Sequence, residues 1–196
     1  AVTEDEQMSF TEIIQDLEAI RSALQIEKWA FAGHSTGGML ALQYAIDAQA
    51  SLTKVIAGCT AASKAYASHP YSIYCSENKN FQRILAIMDA LNNPNTPQQS
   101  RSELSFDWTM MSFVEEENLR QALLTPNSGR TVGRALDYFR KVLVKTYDIR
   151  DQLSNISIPA YIFGGRYDAQ CPIEFTYEIA EHIPSAQLTV FEQSNH

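Results

Sequence analysis

Gly33-His34-Ser35-Thr36-Gly37-Gly38 constrains the fold more than any other stretch of the chain. It follows a short apolar run, Lys28-Trp29-Ala30-Phe31-Ala32, with the look of a strand. It precedes Met39-Leu40-Ala41-Leu42-Gln43-Tyr44-Ala45, with the look of a helix. A G-x-S-x-G between strand and helix is a nucleophile elbow, a turn so tight that the serine takes a strained backbone conformation. Glycine is expected at both flanks, because a β-carbon there would meet the neighbouring strand or helix. The serine hydroxyl then stands clear of the sheet edge. The next backbone N–H, that of Thr36, points from a helix N-terminus toward any negative charge that develops beside it, as in an oxyanion hole. The plainer reading is a glycine-rich turn capping a helix, with Ser35 a polar turn residue.

A serine is a weak nucleophile without a base, and the base needs a carboxylate to orient it. On an elbow the chain order is serine, then Asp or Glu, then histidine. The chain has four histidines. His34 adjoins Ser35 on the elbow, so its side chain is expected to point elsewhere. His69 precedes Pro70 in a polar loop, and His182 falls late in a helix, where the helix dipole accounts for it. His196 remains. It follows the strand-like run 187–191 and the polar loop 192–195, where a base would overhang a sheet edge, although a solvated loop residue would look the same. The carboxylate candidate is Asp168. The apolar run 159–163 ends in Gly164-Gly165, and Arg166-Tyr167-Asp168 is the turn after it. Pro172 suits the start of the next helix. An Asx-turn or helix cap is the alternative role for Asp168. Asp148 and Asp151 are weaker rivals because they precede that strand.

Helix and strand signals alternate around these positions. Ser9 and Glu12 form a capping box, and Phe10, Ile13, Ile14, Leu17, Ile20 and Leu24 recur on one helical face. Strand-like runs follow at 28–33 and 54–58, with the elbow helix between them at about 36–48. This is the alternation of a parallel sheet. Between them and the strand at 159–164 the character changes. Helical patterns cover 78–91, 97–111, 112–124 (opened by a capping box, Ser112 to Glu115) and 132–146, separated by Asn92-Asn93-Pro94-Asn95-Thr96-Pro97 and other loops. Consecutive helices cannot extend a parallel sheet. They are expected to cover its carboxyl edge as a lid, the alternative being a separate bundle. A helix at 172–183 and a strand at 187–191 complete the pattern.

Composition excludes several classes. A formal net charge of −8 and the absence of a basic run argue against nucleic acid. No apolar run approaches the roughly 18 residues of a membrane span, and the acidic N-terminus is unlike a signal peptide. The three cysteines, Cys59, Cys75 and Cys171, have no metal-like spacing and read as free thiols of a cytoplasmic protein. No motif implies a metal, nucleotide or other cofactor.

The elbow GHSTGG, the segment Tyr147 to Leu153 leading to Ile158-Pro159, the turn GGRYDAQCP and the closing Val190 to His196 together resemble the α/β-hydrolases, and more narrowly the proline-iminopeptidase-like branch. The resemblance implies an α/β fold, with a parallel sheet flanked by helices built from residues 1–60 and 147–196, and a helical lid at 61–146. It implies a Ser35–Asp168–His196 triad with an oxyanion donor at the Thr36 N–H. Such enzymes carry further strands before the elbow, a loop with a second oxyanion donor, and a helix after the histidine. The expectation is therefore a fragment, the later part of a longer enzyme. The expected substrate is a small-molecule ester or a short peptide with an N-terminal prolyl-type amide; neither a cofactor nor a particular oligomeric state is implied. Iminopeptidases bind the substrate amine with lid carboxylates, for which Glu115, Glu116 and Glu117 are candidates, although first-turn carboxylates also suit a solvated helix start. Tyr66, Tyr71, Tyr74, Phe106 and Trp108 are candidate pocket aromatics or lid core. A cofactor-free non-hydrolase (lyase or perhydrolase type) and a binding protein with a vestigial triad are the competing readings.

Overall fold

Ser9 opens the first helix as its sequence suggests: its Oγ accepts a hydrogen bond from the Glu12 N–H at 3.2 Å, and α1 runs Phe10–Ala23. In a computed structural model, which describes residues 3–93, 95–113, 115–125 and 133–196, β1 (Trp29–His34) follows. Then come α2 (Thr36–Ala48), β2 (Leu52–Gly58), α3 (Phe81–Asn92), α4 (Gln98–Met110), α5 (Glu116–Leu124), α6 (Gly133–Lys141), β3 (Ala160–Gly165), α7 (Ile173–His182) and β4 (Ala186–Phe191). The four strands form one sheet in the order β1-β2-β3-β4, all parallel. Parallel neighbours require crossovers. Here α2 links β1 to β2, α7 links β3 to β4, and the remaining helices fall between β2 and β3.

Apolar burial fixes this arrangement. Leu42, Tyr44 and Ala45 of α2 and Val55 and Ala57 of β2 are fully buried, with Ile162 of β3 almost as deep. Each large side chain so enclosed contributes about 1.5–3 kcal/mol. The register aligns the strand ends. His34 pairs with Gly58, Gly58 with Phe163, and Gly165 with Phe191. The chain thus leaves β1, β2, β3 and β4 along one edge, where the candidate residues lie.

The insertion starts and ends at one place. Ser63 and Asp148 form an antiparallel bridge, and the Ile149 N–H donates to Ala62 O at 2.8 Å. The last inserted helix meets the core: Phe139 of α6 stacks on Phe10 of α1 with ring centroids 5.9 Å apart. Two local expectations fail. Ser112 does not cap α5, whose N-cap is Glu115 without a side-chain bond. Instead the Ser112 hydroxyl is buried and accepts from Gln170 Nε2 at 2.9 Å, so a tertiary bond replaces the local one. The last inserted helix stops at Lys141. Val142 leaves helical geometry (φ −121°, ψ −66°), and Leu143–Lys145 form only a 3-10 turn. Pro94, Val114 and Val132, which belong to the expected loop, capping box and helix start, lie outside the described residues.

Candidate active site

Ser35 has φ 56° and ψ −124°, a conformation that costs a non-glycine residue roughly 1–3 kcal/mol. The end of β2 holds it there. The Ser35 N–H donates to Gly58 O at 2.9 Å, and the Thr60 Oγ1 hydroxyl donates to Ser35 O at 2.8 Å. The steric need for glycine is not where the pattern alone suggests. A β-carbon on Gly33 would lie 1.9 Å from Gly37 O, and one on Gly38 would lie 2.7 Å from Thr60 Cβ. A β-carbon on Gly37 would meet nothing within 4 Å. Close approach therefore dictates Gly33 and Gly38, and leaves the second motif glycine free. Thr36 begins α2, so no intrahelical carbonyl can reach its N–H.

Asp168 is buried, its side chain only 1% exposed. Its Oδ1 accepts from the Gln170 and Cys171 N–H groups, each at 2.8 Å. His196 Nδ1 lies 2.8 Å from Oδ2 and 3.0 Å from Oδ1. The Asx-turn and the imidazole partner are thus both present, the turn aiming the carboxylate at the ring. With Nδ1–H donating to Asp168, Nε2 is the unprotonated nitrogen of the neutral ring.

The loop carrying His196 is pinned to the end of β3. The Tyr167 N–H donates to Ser194 O at 2.9 Å and the Arg166 N–H to Phe191 O at 3.0 Å. Arg166 also grips Glu192 through Nε and Nη2, at 2.9 and 2.8 Å. Only a glycine fits at 165, since a β-carbon would come within 2.2 Å of Asn195 O.

His34 belongs to this cluster, contrary to the expectation that it turns away. Its Nε2 lies 2.8 Å from the His196 main-chain oxygen, and the two rings are 4.7 Å apart. His34 is exposed at its outer edge, yet desolvation of the ring by the packed loop and then the nearby His196 push it below its usual value. Its place beside the elbow serine was the one signal in the sequence. His69 instead packs against Phe175, and His182 caps the end of α7 with Nδ1 2.7 Å from Glu178 O.

Ser35 Oγ makes no hydrogen bond among the described residues and opens on a cavity of about 740 Å³. Met39, Tyr66, Tyr74, Trp108, Leu136 and Phe139 give it an apolar wall on one side, and Asn92, Gln98, Arg101, Asp137, Arg140 and Gln170 make the rest polar. The Arg140 guanidinium lies 4.5 Å over the Trp108 ring. Tyr74 Oη donates to Gln170 Oε1 at 2.6 Å, which ties the acid turn to the cavity wall. Burial pushes the Tyr66 and Tyr74 hydroxyls well up and raises the Cys59 thiol to about 12, with Asp168 adding to the effect. Two of the expected aromatics are elsewhere: Tyr71 is exposed, and Phe106 lies beneath Arg120. Glu115, Glu116 and Glu117 do not reach the cavity either. Glu116 pairs with Arg120, and Glu117 accepts from Gln121 at 2.6 Å.

A family model described as the alpha/beta hydrolase fold matches residues 3–196. The chain belongs to the α/β-hydrolase family. Within that family it is 57% identical to an alpha/beta fold family hydrolase from Bacillus anthracis of known structure, covering all of this chain and 70% of the other, with a TM-score of 0.96. It is 23% identical to the AB hydrolase superfamily protein YisY of Bacillus subtilis over 92% of its length. It is also 23% identical to a proline iminopeptidase of Lacticaseibacillus rhamnosus over 93% of its length. The chain spans 64% of the length of each of these last two relatives. No helix of the described residues is long and apolar enough to cross a membrane.

Proposed function

We propose that this α/β-hydrolase chain acts as a serine hydrolase on carboxylic esters whose acyl part is apolar, with residues 61–146 as its lid. The observation that carries the reading is the His196 Nδ1–Asp168 contact at 2.8 Å, on the strand edge where Ser35 stands strained above a cavity with an apolar wall. His196 Nε2 takes the Ser35 proton as Oγ attacks the ester carbonyl carbon. Asp168 holds the imidazole tautomer and stabilises the imidazolium without taking the proton itself. The Thr36 N–H stabilises the oxyanion, a role worth about 3–4 kcal/mol for one such donor. Collapse of the tetrahedral intermediate expels the alcohol, which takes its proton from His196. Water, activated by the same imidazole, then hydrolyses the acyl-serine. In the absence of substrate Ser35 Oγ is unbonded, and catalytic hydrogen bonds commonly tighten only once substrate is present.

The cavity lies within the roughly 300–1,000 Å³ of small-molecule sites. Its wall favours an ester over an amine-bearing substrate. Asp137 is the one carboxylate lining it among the described residues, and Asp137 Oδ1 already faces Arg140 Nη1 at 3.6 Å. A free amino group would compete with that guanidinium. The prolyl-amide reading draws on the relatives named proline iminopeptidase and on Asp137 as its amine partner.

Ser35→Ala is expected to remove fluorophosphonate labelling and to lower turnover of a nitrophenyl ester on the order of 10⁴-fold or more. Full turnover by that variant would defeat the proposal. A labelled serine that turns over no ester or amide would favour a non-hydrolytic reaction on the same fold. Side by side, nitrophenyl butyrate is expected to be cleaved and prolyl-naphthylamide spared. The reverse preference would move the assignment to the aminopeptidase reading.

A further inference from the structure

We propose that His34, Cys59 and His196 form a binding site for a thiophilic divalent cation such as zinc, and that its occupancy reversibly blocks the reaction. Each of the three offers one ligand atom, and these atoms all lie within 4.8 Å of one another. In a tetrahedral zinc centre the metal–nitrogen distance is about 2.0–2.1 Å and the metal–sulfur distance about 2.3 Å. Ligand atoms then stand roughly 3.3–3.6 Å apart, so the cluster closes around an ion by a contraction of about 1 Å. Two imidazoles and a thiol select zinc, copper or cobalt; calcium and magnesium need oxygen ligands, and this set has none.

The three residues come from the ends of three strands. His34 is the last residue of β1. Cys59 follows β2 with φ 48° and is held by its N–H donating to Phe163 O at 2.9 Å. His196 follows β4 on its pinned loop. Buried Asp168, 2.8 Å from His196 Nδ1, supplies a compensating negative charge beside the cluster. The Cys59 sulfur lies 4.0 Å from Asn195 O and also bonds to the Gly165 backbone and the Asp168 side chain, contacts that the ion would replace. His34 is exposed and gives an ion a way in. Three protein ligands leave a fourth position for water.

On binding, the cation takes the sulfur lone pair of Cys59 as thiolate and releases that proton to solvent, so affinity rises with pH. The same ion takes one ring nitrogen of His196. Nε2 is the base and Nδ1 the partner of Asp168, and neither can hold a metal and keep that role, so metal and turnover exclude each other. The inhibition rests on the reading of His196 as the base, whereas the binding does not.

Cobalt(II) titrated into the substrate-free protein is expected to give a thiolate-to-cobalt charge-transfer band at one equivalent. The band is lost in Cys59→Ser and bleached by added zinc. Zinc is expected to inhibit ester turnover, a chelator to restore it, and Cys59→Ser to need at least about tenfold more zinc for half-inhibition relative to its own metal-free rate. Should Cys59→Ser fail to fold, His34→Ala on the exposed ring reports the same loss of cobalt affinity. Absence of the band in the folded wild type, or equal zinc sensitivity in wild type and Cys59→Ser, would overturn the proposal. A band without any ester turnover would keep the site and sink the hydrolase reading alone.

Discussion

Gly33 and Gly37 look equivalent in the motif, yet the structure gives them opposite burdens. No glycine of the described chain has a positive φ, so the need at position 33 is for space and not for a left-handed backbone. A methyl there would lie 1.9 Å from a carbonyl oxygen that belongs to the rigid start of α2. Gly33→Ala is therefore expected to cost more than about 3 kcal/mol, as overpacking against backbone does, and to abolish serine labelling. Gly37→Ala, pointing into open space, is expected to stay within about 1 kcal/mol of wild type. Urea unfolding and fluorophosphonate labelling of both variants decide this; equal damage from the two would contradict it. At this scale the positions of the candidates Ser35, Asp168 and His196 at the strand ends were legible, because each follows a strand run closed by glycine or polar turn residues. The direction of the His34 side chain was not. Which way a side chain leaves a tight turn depends on the turn's dihedral angles, and these carry no mark in the residue type.

The strand ends act as mounts, and the fit between two of them carries the geometry of the site. The chain at 194–195 rests on Gly165 so closely that a β-carbon would come within 2.6 Å of both the Ser194 and Asn195 carbonyl oxygens. Gly165→Ala is expected to push the His196 loop outward by on the order of 1 Å, and such a displacement can lower kcat about 100-fold. KM should change little, since the cavity wall is built from other elements. Unchanged kcat in a folded Gly165→Ala would refute this coupling. Elements with their own local signals were legible: the Ser9 cap, the apolar periodicity of α1 and α2, and the strands that follow. Where a distant residue takes over a local group, the sequence misleads. Ser112 has the spacing of a cap, but its hydroxyl is taken by Gln170, 58 positions away. Phe106 has the composition of a pocket residue, but it lies on the face of α4 that meets Arg120 of α5, which periodicity within one helix does not encode.

Across the whole molecule, helix-strand alternation was enough to read a parallel sheet, whereas the order β1-β2-β3-β4, with β3 beside β2 across the long insertion, carries no mark in that alternation. The polar clamp that fastens α1 to this sheet had no signature. Glu18 on α1 accepts from Arg21 Nη2 at 2.7 Å, from Ser51 Oγ at 2.8 Å and from Tyr44 Oη. Trp29 Nε1 then donates to Tyr44 Oη at 3.0 Å, so one carboxylate joins α1, α2, β1 and the turn before β2. The Arg21 hydrogen bond, opposed by burial and helped by Tyr44 and Ser51, holds Glu18 at about 2, against 4.5 for a free glutamate. A depressed carboxylate stabilises the fold fully above its unfolded value and loses that contribution as protons bind on the way down to its folded value. The clamp should therefore be complete at pH 7, weaken from about pH 4.5 and be gone near pH 2. Tyr44 titrates in the opposite sense. Burial, then the bond to Glu18, raises it from 10.0 to about 12, so its contribution persists below pH 10 and fades as pH rises through 12. Glu18→Gln keeps the shape and removes the charge. Urea midpoints at pH 7, 4 and 2.5 should show the variant well below wild type at pH 7, with the gap narrowing at each step down. A gap that stays constant across that range would mean that the ionised carboxylate does not hold α1 in place.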